Sequence, residues 1–186
     1  MIYYHDFQID LPRYDELGRA NDFPDLDCCP ICRAKNRLLR HGFYARNAIE
    51  GETVYRIPIC RLLCPDCGKT VSILPIFLLP YFQHTIDCII RILLAFWMSC
   101  RLLCTRQLRR FYEKRVYGKQ TEVELFFREE GERTLWPENP KERAIKVVRM
   151  IQTLGKATFV RRWWRHRINS FMAAPLYHGA RVAKTE

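Results

Sequence analysis

The sequence predicts an α+β protein in which a small N-terminal hairpin with two cysteine turns precedes a helical region. Three observations lead to this class. The tetrapeptide Cys-Pro-x-Cys occurs twice, at residues 29–32 and 64–67. Two strand-like segments, residues 37–46 and 53–63, lie between these turns. Beyond residue 80, apolar residues recur at the intervals of three and four that are typical of helices.

The composition indicates a folded, basic protein. The chain has 186 residues, a net charge of +11 and a hydrophobic fraction of 48%, which argues against disorder. The charge is uneven, because residues 1–27 carry seven acidic side chains against Arg13 and Arg19, whereas the rest is basic. A basic body favours a polyanionic partner, most often nucleic acid.

Neither a secretory signal nor a membrane span is expected. The N-terminus lacks a basic start followed by an apolar run. The most apolar stretch, residues 88–104, is interrupted by Arg91 and Arg101, and the uncharged run between them is far shorter than the roughly 20 residues that cross a bilayer. We therefore expect no membrane partner and a cytoplasmic, nucleoid-associated location. Nine cysteines in a reducing compartment favour metal binding over disulfides.

The N-terminal half divides into two predicted segments. Residues 1–27 look like an acidic, extended lead-in, since Pro12 and Pro24 punctuate a polar stretch. Residues 28–80 are predicted to form the hairpin with a cysteine turn at each end. A Glu-Gly pair within residues 47–52 provides the turn, and Pro58 marks an edge strand.

The C-terminal half, residues 81–174, is predicted to be helical and to bind DNA. Gly118 is expected to end the second helix, and Thr121 with Glu124 reads as a capping box that opens the third. Asn139 and Pro140 supply an N-cap and a first-turn proline for the fourth, which Gly155 ends. The last residues, 175–186, are predicted to be a flexible tail. The five helices are expected over residues 85–103, 106–117, 122–130, 141–154 and 159–172.

The four cysteines of the two turns are the candidate metal ligands: Cys29, Cys32, Cys64 and Cys67. Two residues between cysteines let a tight turn direct both sulfurs at one point, and two such turns complete a tetrahedron around Zn²⁺. Four sulfur ligands leave no open position, which predicts a structural rather than a catalytic ion. A rubredoxin-like iron site and a redox dithiol remain alternatives. Cys28 could replace Cys29, but only Cys29 matches the register of Cys64.

The segment over residues 29–81 resembles the zinc-ribbon head of bacterial insertion-sequence transposases. It is more similar still to an uncharacterised bacterial zinc-ribbon family of short, transposase-related proteins. The resemblance covers about a third of the chain and implies a metal-stabilised DNA-recognition head. The matching positions are Cys29, Cys32, His41, Gly42, Tyr44, Arg46, Arg61, Cys64, Cys67, Thr70, Leu74 and Pro75.

The chain departs from those transposases after residue 80. Their ribonuclease-H-like core needs three separated carboxylates, whereas the acids here are bunched between Glu122 and Glu132. No Asp follows an apolar strand. We therefore expect no enzymatic activity.

Three surfaces are candidates for contact with duplex DNA: the hairpin, the second helix, and the fifth helix as the reading helix of a helix-turn-helix. The third helix is a poor candidate because its acids would be repelled by phosphates. Tryptophan stacking on single-stranded bases is a weaker option. The candidate DNA-binding residues are Arg40, Arg46, Arg56, Arg61, Arg106, Arg109, Arg110, Arg161, Arg162, Arg165 and Arg167.

The sequence therefore predicts a non-catalytic, zinc-dependent DNA-binding protein, a regulator or accessory factor of a mobile element. The alternatives are a zinc-ribbon adaptor that docks on a larger protein partner, and a truncated transposase remnant without its catalytic core.

Overall fold

The fold is described from a computed structural model that covers residues 1–35, 38–167 and 169–174. These residues form a four-stranded sheet and five α-helices, which makes the protein α+β, as predicted. The predicted tail at 175–186 lies outside the described residues.

The sheet is built around the predicted hairpin. β1 (Ile2–His5), β2 (Leu39–Glu50), β3 (Thr53–Leu63) and β4 (Thr70–Pro75) lie in the order β1-β4-β3-β2. β2 and β3 are antiparallel, and Glu50 pairs with Thr53 across the two-residue turn. β4 pairs antiparallel with β3, and β1 adds to β4 in parallel.

The first 27 residues belong to this sheet unit, so the expectation that they are extended throughout is wrong. They contain β1, a short helix α1 (Leu11–Leu17) and a 3₁₀ turn at Gly18–Ala20. The Asp10 side chain caps α1 by accepting a hydrogen bond from the backbone N–H of Arg13. Tyr14 is fully buried against β3, and its hydroxyl donates to the carbonyl of Pro58 at 2.9 Å.

The helical half contains four helices: α2 (Ile86–Ser99), α3 (Arg106–Glu129), α4 (Pro140–Leu154) and α5 (Lys156–His166). Thr85, Thr105 and Asn139 cap the first three of these with side-chain oxygens, as their residue types favour. Within the described residues, no helix is long and apolar enough to cross a membrane.

Several helix boundaries differ from the prediction, and the fifth helix, α5, spans Lys156–His166 rather than residues 159–172. The predicted second and third helices are one continuous helix, α3, in which Gly118 and Thr121 lie in the interior. The packing of Tyr112, Val116, Val123 and Phe126 along one side of α3 explains this, because each is buried in the helical core. In addition, α2 ends at Ser99, where Cys100 adopts a left-handed conformation with φ 53°.

The apolar residues form two clusters, one between the sheet and α1 and the other among α2 to α5. Tyr4 of β1 contacts both clusters. Its ring centroid lies 4.9 Å from that of Trp164 on α5. Arg161 of α5 also approaches Asp6, with 3.8 Å between the charged atoms. The N-terminal strand therefore connects the sheet to the last helix.

Candidate functional site

The sulfurs of Cys29, Cys32, Cys64 and Cys67 all lie within 4.8 Å of one another. Two of the distances are 3.9 Å, from Cys29 to Cys67, and 3.7 Å, from Cys32 to Cys64. A tetrahedron with metal–sulfur bonds of about 2.3 Å has sulfur–sulfur edges of about 3.8 Å. A disulfide would require about 2.05 Å. The four thiols thus have the geometry of ligands to one metal ion.

The two turns that carry these sulfurs have the same backbone structure. In the first, the N–H of Arg33 donates to the carbonyl of Cys29 at 2.9 Å. In the second, the N–H of Gly68 donates to the carbonyl of Cys64 at 3.0 Å. Arg33 and Gly68 both adopt a left-handed conformation, with φ 65° and 66°. The repeated tetrapeptide therefore produces two nearly identical halves of one site.

Backbone and neighbouring groups favour one thiolate in particular. The backbone N–H of Cys32, together with that of Ile31 at 3.4 Å, stabilises the Cys29 sulfur and lowers the pKa of its thiol to about 7. The backbone N–H of Ala34 acts in the same direction on Cys32, but the three neighbouring sulfurs, together with partial desolvation, outweigh it and raise the pKa of Cys32 to about 12. Four adjacent thiols cannot all ionise on their own, because the negative charges of the thiolates repel one another. A bound cation is the group that would hold them as thiolates.

The site lies at the open end of the hairpin. Cys64 directly follows β3, and Cys29 precedes β2 by a short segment. Cys29 and Cys64 are buried, whereas Cys32 is exposed. The four ligands come from one chain and enclose the common point, so the arrangement suits an ion with a structural role. Cys28 is exposed and lies outside this group, as its register predicts.

The four candidate DNA-binding arginines of the hairpin differ in their surroundings. Arg40 and Arg56 are exposed on the sheet. Arg61 has its guanidinium carbon 5.8 Å from the centre of the Tyr44 ring. Arg46 donates from Nη2 to the carbonyls of Leu79 and Phe82, at 2.5 and 2.6 Å. Arg46 thus holds the turn between β4 and α2, a role that the sequence did not indicate.

The candidate arginines of α3 also differ from one another. Arg109 is nearly buried, forms an ion pair with Glu113, and has its guanidinium carbon 3.7 Å from the centre of the Phe96 ring. Arg106 and Arg110 are exposed, as is Lys114 one turn further along. Residues at intervals of four lie on one side of a helix. We call this set of three, Arg106, Arg110 and Lys114, the basic face of α3.

Of the four candidate arginines on α5 and at its C-cap, three lie beside carboxylates. Arg161 approaches Asp6, Arg162 forms an ion pair with Glu130, and Arg167 pairs with Glu129 at 2.9 Å. The fourth, Arg165, is exposed. The acidic end of α3 therefore partly neutralises α5. Since α4 and α5 are separated only by Gly155, they are consecutive helices, but this alone does not define a helix-turn-helix.

Six carboxylates among the described residues of the helical half are engaged in ion pairs. Besides the two pairs to α5, Glu122 contacts Lys119 and Glu124 contacts Arg128, at 2.5 and 2.6 Å. Within residues 1–35, 38–167 and 169–174, the four cysteines are the one group of three or more His, Cys, Asp or Glu side chains that converges tightly enough to hold a metal ion.

The structure also draws attention to two aromatic side chains that are not among the candidate residues. Tyr81 is 97% exposed and has φ 67°, and Phe111 is 42% exposed on α3. No pattern in the sequence signals their exposure.

The fold and site define an α+β protein with a cluster of four cysteines that could hold a metal ion. A protein family described as a domain of unknown function (DUF6431) matches residues 29–106, which contain both cysteine turns, the hairpin, β4 and α2. No curated protein and no solved structure matches the chain.

Proposed function

We propose that the protein is a non-catalytic DNA-binding protein that zinc holds together, and that the basic face of α3 contacts the duplex. The main observation in support is that Arg106, Arg110 and Lys114 are exposed and are spaced one helical turn apart. None of the three has an ion-pair partner among the described residues.

The spacing of the basic face suits a phosphate backbone. Four residues of α-helix rise about 6 Å, so Arg106 and Lys114 are about 12 Å apart along the axis. A DNA strand has one phosphate per roughly 3.4 Å of duplex axis. The three cations can therefore each reach a different phosphate of one strand. Because phosphate contacts carry little base information, this surface supplies affinity and orientation rather than sequence recognition.

The α5 arginines are the alternative surface on the same protein. To contact DNA, Arg161, Arg162 and Arg167 would have to exchange their carboxylate partners for phosphates. Exposed ion pairs contribute only about 0–1 kcal/mol each, so the exchange is not prohibitive. The nearby carboxylates of Glu129 and Glu130 would nevertheless repel the strand. This comparison favours α3 over the helix-turn-helix that the sequence predicts for α4 and α5.

Zinc is the metal that this donor set favours. Four thiolates at tetrahedral distances suit Zn²⁺, and iron is the competitor. The role is structural, since the sheet unit depends on two distant turns being joined. A site of this kind can contribute on the order of 10–16 kcal/mol of apparent binding free energy. A closed coordination sphere supports a non-catalytic role.

The link to mobile elements rests on the resemblance of residues 29–81 to transposase zinc-ribbon heads. On that basis we propose a regulator or accessory factor of a mobile element, and a transposase remnant without its catalytic core is the variant of this proposal. The cytoplasmic, nucleoid-associated location follows from the same proposal.

One observation favours an adaptor as a second candidate. Met98, Leu102 and Leu103 are 56%, 44% and 40% exposed at the end of α2 and in the following loop. A protein partner that covers them would bury apolar surface without needing the cations. Such binding would depend weakly on salt, in contrast to DNA binding.

The test is the salt dependence of affinity for random-sequence duplex DNA, measured by fluorescence anisotropy. The quantity compared is the slope of the logarithm of affinity against the logarithm of salt concentration. In the triple variant R106A/R110A/K114A, this slope should be less steep than that of the wild type by about 2.7, since each phosphate contact contributes about 0.9. The matched control is R161A/R162A/R165A, which removes the same charge from α5 and should leave most of the slope in place.

Two results would contradict the proposal. A larger loss in the α5 variant than in the α3 variant would move the DNA surface to α5. Absence of binding by the wild type at low salt would remove DNA binding altogether and favour the adaptor.

A further inference from the structure

A second feature lies on the turn that packs against α3: an aromatic side chain displayed at the surface. Tyr81 occupies the turn between β4 and α2 and is 97% exposed. Its φ of 67° places it in the left-handed region. For a residue other than glycine this conformation costs about 1–2 kcal/mol. Tyr81 does not recover this cost by burial, so the turn must be stabilised by other contacts.

Those contacts come from β2 and from within the turn itself. The guanidinium of Arg46 donates to the carbonyls of Leu79 and Phe82, which lie on either side of Tyr81. The N–H of Phe82 donates to the carbonyl of Leu79 at 3.2 Å, and the N–H of Ile49 donates to the carbonyl of Gln83 at 2.8 Å. The backbone around Tyr81 is thereby fixed to the sheet while its ring points into solvent.

The turn and α3 are in direct contact. The ring of Phe82 lies 5.7 Å from that of Phe111, which is itself 42% exposed. The guanidinium carbon of Arg115 lies 4.9 Å from the centre of the Phe111 ring. Phe111 is on the outward side of α3, one residue after Arg110 of the basic face. The exposed ring of Phe111 therefore adjoins cations that have no carboxylate partner among the described residues, and Tyr81 lies on the turn that packs against Phe111.

We propose that Tyr81, together with Phe111, stacks on an unpaired base of a nucleic-acid strand whose phosphates lie along the basic face of α3. This inference rests on the proposed DNA binding and specifies its substrate as single-stranded DNA or a duplex with an unpaired segment. Proteins that bind single strands combine a cationic track for the backbone with aromatic rings for the bases. A fully paired duplex offers no free base face to Tyr81, whereas a single strand does. A protein partner would have no need for the cations beside the rings.

The position of Tyr81 permits a variant that removes the ring without disturbing the fold. Glycine adopts φ 67° at no steric cost, so Tyr81→Gly should fold at least as stably as the wild type. Tyr81→Phe keeps the ring and is the matched control. Phe111→Ala tests the second ring, and unfolding by urea verifies that each variant is folded.

The experiment measures the affinity of these variants for three probes at one salt concentration: a short oligothymidylate, the same length of fully paired duplex, and an oligonucleotide of the same length without bases. The wild type should prefer oligothymidylate to the base-free strand. Tyr81→Gly should bind oligothymidylate at least about fivefold more weakly than the wild type, the low end for loss of one stacked base. Its affinity for duplex and for the base-free strand should stay within about twofold, and Tyr81→Phe should match the wild type for all three probes.

The outcomes separate this inference from the proposed function. If duplex binding depends on the basic face but Tyr81→Gly binds oligothymidylate as well as the wild type, base stacking is refuted and DNA binding stands. Equal binding of oligothymidylate and the base-free strand by the wild type has the same consequence. If the wild type binds none of the three probes, both fail, and a protein partner at this surface becomes the explanation for the exposed rings.

Discussion

Arg33 and Gly68 occupy equivalent positions in the two cysteine turns, with φ values of 65° and 66°. Each donates its backbone N–H to the carbonyl of the first cysteine of its turn. Glycine adopts this conformation freely, whereas arginine does so at a cost of about 1–2 kcal/mol. The first turn is therefore the more strained of the two cysteine turns.

Replacing Arg33 by glycine should stabilise the metal-bound protein by about 0.5–1 kcal/mol. The gain is smaller than the relief of strain because glycine also increases the entropy of the unfolded chain. The measurement is the midpoint of urea unfolding at saturating metal, with an unchanged denaturant dependence of the free energy. The reciprocal variant, Gly68→Ala, should be destabilised by about 1 kcal/mol. Equal midpoints for both variants would show that the turns do not carry this strain.

Substitution of a metal ligand should unfold the sheet unit, whereas substitution of the adjacent cysteine should not. Cys32→Ser removes one of the four sulfurs and should reduce the bound metal well below one ion per chain. The β-sheet signal in circular dichroism should fall with it, because the two turns are no longer joined. Cys28→Ser is the matched control, since Cys28 is exposed and outside the group of four. Elemental analysis of the wild type distinguishes zinc from iron.

If Cys28→Ser loses the metal while Cys29→Ser retains it, the ligand assignment is wrong by one residue. If chelation of the wild type leaves the circular dichroism unchanged, the metal does not hold the sheet unit together.

Gly118→Ala should stabilise the protein by about 1 kcal/mol. Gly118 lies in the interior of the continuous helix α3 and is exposed, and alanine is more favourable than glycine at such a position by about that amount. The measurement is again the midpoint of urea unfolding. Gly155→Ala serves as the contrasting variant, because Gly155 has φ 84° and should not tolerate a side chain. Destabilisation by Gly118→Ala would indicate the helix break that the sequence suggested.

Gly118 also shows that local sequence signals alone do not determine where a helix ends. A glycine followed by Thr121 and Glu124 has the residue types of a helix end and a new cap. Buried contacts on both sides of this point, from Tyr112 and Val116 to Val123 and Phe126, nevertheless favour one helix. Tertiary packing of this kind outweighs a propensity difference of about 1 kcal/mol.

The convergence of the four cysteines was predictable, because the spacing within and between the two turns is itself the geometric constraint. The hairpin was also predictable, because its turn residues and its alternation of apolar and polar residues lie within one short stretch of sequence. The pairing of β1 with β4 was not, because Ile2 and Ser72 are far apart in sequence and β1 has only four residues. Arg46 was expected to contact DNA, but nothing nearby in the sequence reveals the carbonyls of Leu79 and Phe82 to which it donates.

The stability of the helical half should depend on pH through His84. Burial lowers the pKa of His84 below its ordinary value of 6.5. Its Nδ1 lies 2.8 Å from the hydroxyl of Tyr112. In the unfolded chain the imidazole regains its ordinary pKa, so the unfolded state binds more protons below about pH 6.5. The contribution of neutral His84 is therefore fully present above pH 6.5 and is lost as the pH falls toward the pKa of the folded state.

His84→Asn removes this titration and should make stability less dependent on pH between about 5.5 and 7 than in the wild type. The measurement is urea unfolding at saturating metal across this range. Acid release of the metal affects both proteins equally, so the difference between their slopes isolates His84. His5→Asn is the comparison, because burial also lowers the pKa of His5 but Asp22 and Asp6 act against that shift. It should therefore flatten the pH dependence less than His84→Asn does. Parallel pH profiles for the wild type and His84→Asn would mean that His84 is not held in its neutral form by burial beside Tyr112.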